Sequence, residues 1–307
     1  MRSRIWLLEE QTVAELGELY VQAYRGMVGQ LAEVMARYNA GAETWSHADL
    51  AFRARTESLL QGIGGEIARL TDRATAAVFD AAVRGYQAGW YGRAWLLDVG
   101  TRAVSAINLP LLPVEAIRAA ILQPYQGGTF VDRFINARAE FEQRIRNSIV
   151  QSQIQGESIA QATKRIQSAL GLPGGKVPGG HAARVEMVAR TEILRSSNAG
   201  AAAIYEQNAD ILSAVEWLAT NDERTCPTCG VLDGQQWAVG KAPQPPDHPR
   251  CRCTLLPVLK NQSLEQRIVG PRKTYRQWAA EHGVSMSQDG GVLHTERGKP
   301  APKAAEK

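Results

Sequence analysis

Residues 224–259 read RTCPTCGVLDGQQWAVGKAPQPPDHPRCRCTLLPVL, and the fold turns on how this stretch is taken. Apolar and polar residues alternate in Gln235–Val239 and in Arg252–Leu259, and Ala214–Ala219 (AVEWLA) just upstream, with Trp217 in it, does the same. A period of two marks a half-buried strand, so the spacing predicts three short strands of an antiparallel sheet. Asp233-Gly234, directly before the second strand, is a turn dipeptide.

The same stretch holds all four cysteines, Cys226, Cys229, Cys251 and Cys253. Two residues separate Cys226 from Cys229, two separate His248 from Cys251, and eighteen lie between these pairs. A C-x2-C turn lets two thiolates reach one ion at about 2.3 Å while nearby backbone N–H groups bond to sulfur. Such clustering suits tetrahedral zinc better than a disulfide framework. On a strand Cys253 shares a face with Cys251, so either His248 or Cys253 completes the site. A closed Cys/His set in a loop-rich module points to structural zinc, which supplies about 10–16 kcal/mol where a core is small. Metal-free packing and a disulfide formed on oxidation remain the alternatives.

Catalytic motifs fail by inspection. A zinc deaminase places H-x-E upstream and Pro before its first Cys, whereas Thr225 precedes Cys226 and His181 is followed by Ala-Ala-Arg. H-E-x-x-H and G-x-S-x-G are absent. Asp222, Asp233 and Asp247 suit turns better than general-base work. The expectation is a protein that is not an enzyme; the alternative is a metal-dependent hydrolase or nuclease using one of these carboxylates.

Upstream the period lengthens to that of helices. Val13, Leu16, Tyr20, Ala23, Met27, Leu31, Val34 and Tyr38 recur at steps of three and four, as do Leu59, Ile63, Ile67, Leu70, Ala74, Val78 and Ala81. Two long helices, about 9–38 and 48–97, form an antiparallel hairpin on this reading, with Gly62, Gly64 and Gly65 marking a kink or break. Tyr86, Trp90, Tyr91 and Trp95 are read as core at one end of the hairpin, or else as a patch for a partner. A short helix over 114–122 follows Pro113, helices resume over 130–155, and Ser158 and Gln161 have capping-box spacing before a helix that stops at Gly171. Another helix spans 181–205. In it Arg190 and Glu192 are candidates either for solvated ion pairs with Glu186 and Arg195 or for inward-facing braces of the sheet. A last short helix over 275–281 starts at Thr274, and 285–307 has the composition of a disordered tail. The fold class is α+β, mainly α, with segments 1–110 (helical arm), 111–262 (containing a Cys/His module over 214–259) and 263–307.

Net charge is +4 with 44% hydrophobic and 21% charged residues. That mildly basic balance permits contact with DNA without predicting it, and no basic stripe is legible along the sequence. No apolar run reaches membrane-spanning length and no secretory signal is evident.

The ordered series Gly156-Glu157-Ser158, Ala189-Arg190-Thr191-Glu192, Trp217, Asp222, Arg224-Thr225-Cys226-Pro227-Thr228-Cys229, Leu232-Asp233-Gly234 and Pro245-Pro246-Asp247-His248-Pro249-Arg250-Cys251-Arg252-Cys253 resembles the Mu F-like minor head (head morphogenesis) proteins of tailed bacteriophages. The resemblance spans about 130–257. It implies a minor capsid component made in the bacterial host cytoplasm and carried in the virion, in the capsid interior or portal region. Its implied partners are the portal protein and the major capsid or scaffold protein, with packaged DNA as a further contact.

Overall fold

Helices form where the apolar period of three to four persists, and a computed structural model shows eight of them among the described residues, 2–38, 50–101, 107–155, 157–171, 180–260 and 274–284. They are α1 (Arg2–Tyr38), α2 (Leu50–Thr101), α3 (Val114–Ile121), α4 (Phe130–Ile154), α5 (Ile159–Leu170), α6 (His181–Gln207), α7 (Pro227–Leu232) and α8 (Tyr275–Glu281). The expected tail beyond Ser285, the loop joining the first two helices and the Gly/Pro segment 172–179 lie outside the described residues.

The chain forms two units, each discontinuous in sequence: 11–79 with 122–189, and 1–10 with 80–121 and 190–307. In the first, Leu16, Tyr20, Ala23, Met27 and Leu31 of α1 are buried, as are Leu59, Ile63, Ile67, Leu70, Ala74 and Val78 of α2. Arg73 donates to Gln22 and Gln30 to Glu66, a descending register that makes the pair antiparallel as expected. The three glycines do not break α2, which runs through Gly62, Gly64 and Gly65. The cap signals at α5 hold: Ser158 and Gln161 form a full capping box, and Gly171 closes the helix in the left-handed region.

The second unit holds the sheet, β1 (Leu212–Leu218), β2 (Gln236–Trp237) and β3 (Thr254–Leu259), in the order β2-β1-β3 and antiparallel throughout. Trp217 faces Leu255 across the ladder and is fully buried. Tyr86, Trp90 and Tyr91 are core residues, as the first of the two readings has it, because α2 and α6 approach closely there. A Cβ built on Gly89 would fall 1.9 Å from the Ser197 carbonyl oxygen, and one on Gly200 2.2 Å from that of Tyr86. Only glycine permits this backbone-to-backbone contact. Thr274 and Gln277 cap α8 with a second capping box, and its Trp278 bonds to Asp98 of α2.

Candidate metal centre

Each cysteine reaches the centre through a local device. Cys226 is the N-cap of α7, a helix started by Pro227 at its first position, and its sulfur accepts the Cys229 N–H at 3.3 Å. This is the N–H to sulfur contact expected of a C-x2-C turn. Alternation did not signal α7, because a six-residue helix carries too little period to read. Asp233-Gly234 forms the expected turn ahead of β2, between the end of α7 and that strand, and Gln235 N closes it on the Leu232 carbonyl. The Asp233 carboxylate accepts from Ala219 N at 2.7 Å and Asn221 Nδ2 at 2.6 Å, while Gly234, at φ 78°, donates to the Trp217 carbonyl. These bonds pin the first cysteine loop to the end of β1.

The second loop brings in His248. Its Nδ1 lies 2.9 Å from the Pro249 carbonyl, a bond that places the proton on Nδ1 and leaves Nε2 as the free lone pair. Nε2 stands 3.2 Å from the Cys226 sulfur and 3.3 Å from that of Cys229, and the Cys229 and Cys251 sulfurs are 3.8 Å apart. A tetrahedron with bonds of about 2.3 Å has edges of about 3.8 Å, which the Cys229–Cys251 separation matches, while the two imidazole contacts are shorter. Cys226, Cys229 and His248 form one candidate group and Cys229, Cys251 and Cys253 another. Cys229 belongs to both.

Crowding four thiols has the expected electrostatic result. The Cys229 N–H holds the Cys226 thiol below its ordinary value, while burial pushes Cys229 up to about 12. A hydrogen bond from the Cys253 thiol holds Cys251 down to about 5 and raises Cys253 in turn. His248 is raised, first by its bond to the Pro249 carbonyl. A bound cation would relieve the repulsion among thiolates that otherwise keeps protons in the cluster.

Charged and polar side chains lock the loops in place. Arg252, between Cys251 and Cys253, makes a bidentate ion pair with Asp222, whose carboxylate also accepts from Arg224 N. Asp222 is thereby held well below the usual carboxylate range. Behind the cluster, Asn198 of α6 donates to the Cys253 carbonyl and accepts from Thr254, which also accepts from the buried Arg93.

The run Ala189-Arg190-Thr191-Glu192 supplies the remaining supports, each residue gripping a different segment. Arg190 pairs with Glu10 at 2.8 Å and Glu9 at 3.5 Å of α1. Burial pushes Glu9 up to about 7 despite that guanidinium. Thr191 accepts the Arg250 N–H of the His248 loop at 3.3 Å. Glu192 is fully buried and pairs with Arg195 at 2.7 Å, and Arg195 in turn donates to the Ile121 carbonyl. The expected Glu192–Arg195 pair at i,i+3 is formed, but it is buried instead of solvated. Arg190 is half-buried and Glu192 fully buried; Arg190 pairs with carboxylates of α1 and Glu192 with Arg195 of α6. Period alone could not reveal Thr191, Asn198 or Arg93, since their partners lie some 55 to 160 residues away.

Residues 143–256 match the family described as Phage Mu protein F like protein. The match covers a little more than a third of the chain and ends just past the cysteine cluster. No curated protein and no solved structure gives a match. Among the described residues no helix is long and apolar enough to cross a membrane.

Proposed function

We propose that the chain carrying this Mu F-like segment is a phage head morphogenesis protein, a minor head component built into the procapsid and retained in the virion. The match over 143–256 carries the reading, because it takes in α5, α6, the strands β1 and β2 and the whole Cys/His cluster. Its partners on this reading are the portal protein and the major capsid or scaffold protein.

The cluster serves as a structural zinc site, with Cys226, Cys229, His248 and Cys251 as ligands. The imidazole contacts to Cys226 and Cys229 and the 3.8 Å edge between Cys229 and Cys251 support that set. Cys253 stands beside it as a thiol neighbour of Cys251. Bound zinc would fasten two loops that have little apolar core of their own. A non-enzymatic role is supported by the engagement of two of the three candidate carboxylates: Asp222 on Arg252, and Asp233 on Ala219 and Asn221. A hydrolase would need one of them turned to an open metal position.

Mass spectrometry of purified procapsids and virions tests the assembly role, with the protein expected in both and its absence from both overturning it. Elemental analysis of the recombinant chain is expected to give about one zinc per chain. C229S should abolish binding, C251S should lower it sharply, and C253S should retain it; loss of zinc in C253S with retention in C251S would reassign the fourth ligand.

A further inference from the structure

The hairpin of α4 and α5 encloses an open cavity of about 510 Å³ lined by Arg144, Asn147, Ser148, Lys164, Arg165 and Ser168, with Ala169 and Gly180 completing the wall. The cations are twenty residues apart in sequence and become neighbours only because the two helices pack together, so no stripe is visible along the chain. The lining carries two guanidinium groups, one ammonium, two hydroxyls and one carboxamide, and no carboxylate.

Arg165 is fixed in place. Its Nε and one Nη2 bond engage Glu157 and a second Nη2 bond engages Gln155, a set that does not use Nη1. Arg144 and Lys164 have no ion-pair partner among the described residues, and both are exposed. We infer that this cavity is a contact site for the phosphodiester backbone of duplex DNA. Cationic, hydroxyl and amide donors are the groups that bind phosphate and sugar. The absence of aromatic residues from the lining argues against single strands, which are held by base stacking. Having one apolar side chain, that of Ala169, the lining also lacks the anchors of a protein interface. Binding by such a site is independent of sequence and steep in salt.

The inference rests on the head-protein reading only for the presence of DNA nearby, and its failure would leave the virion test untouched. Fluorescence anisotropy of the full chain with a labelled 30-base-pair duplex (a length of about three helical turns) is the measurement, from 50 to 200 mM salt. Two phosphate contacts contribute about 1.8 to the slope of log K against log salt, so R144S/K164S should flatten it by about that amount. At the lowest salt the loss of affinity should be on the order of tenfold. The control pair R118S/K241S removes the same charge from exposed positions outside the cavity and should change affinity less than threefold. An equal loss in both pairs, no binding by the unaltered chain at 50 mM salt, or displacement of the duplex by polyglutamate as readily as by unlabelled DNA would each overturn the inference, the last by assigning the site to an acidic protein.

Discussion

Two side chains show how burial converts a single residue into a stability term. Glu192 has no exposure and pairs with an Arg195 side chain that is only 12% exposed. Removing one partner of such a pair strands the other charge, so E192A should cost about 3 kcal/mol, read as a drop in the thermal or urea midpoint. An unchanged midpoint would show that water reaches Arg195. His181 sits in the other unit, under the Tyr20 hydroxyl and stacked on Phe141 at 4.4 Å. Burial first, then the charges of Arg184 and Arg144, lower its pKa from 6.5 to about 4. Because the folded value is depressed, the unfolded chain binds the extra proton between pH 6.5 and 4. His181 therefore contributes stability in full above pH 6.5 and loses it progressively as pH falls to about 4, some 3 kcal/mol in all. Melting curves across that range should show a shallower acid decline in H181F than in the unaltered protein.

Elements were legible wherever a period or a cap repeated itself. The alternation after Asn208 located all three strands, and the spacings Ser158/Gln161 and Thr274/Gln277 located two helix starts that the structure caps as expected. The Cys/His spacing likewise pointed to residues that the structure gathers into two overlapping groups sharing Cys229. What was hidden depends on pairing between distant segments. Gly85, Gly89 and Gly200 look like ordinary helix-weakening residues in sequence, yet they let α2 and α6 touch backbone to backbone. G89A should accordingly destabilise the protein by about 2 kcal/mol through overpacking. G29A, on a face of α1 with nothing within 4 Å, should stabilise it by roughly 0.5–1 kcal/mol through helix propensity. Equal effects from the two substitutions would mean that α2 and α6 can separate freely.

At the scale of the molecule, Arg190, Thr191 and Glu192 tie α1, the His248 loop and Arg195 to one turn of α6. Supports of the Cys/His cluster thus come from segments far apart in sequence, from Glu10 near the amino end to Arg250 in the His248 loop. Reading sequence as successive segments cannot recover this, because compactness groups 1–10 with 80–121 and 190–307. Ile5 and Leu8 pack with Ala81 and Ile193, and Arg4 lies over the Tyr275 ring at 4.1 Å. Clipping ten residues from the amino end would remove Arg4, Ile5 and Leu8 together with Glu9 and Glu10, two partners of Arg190. On the proposed zinc reading, such a shortened chain should lose the metal to a competing chelator faster than the full one, although the cut lies more than two hundred residues before the first cysteine. The same interleaving means that no single scission releases either unit intact, so dissecting this protein into independently folding pieces requires rewiring its connectivity.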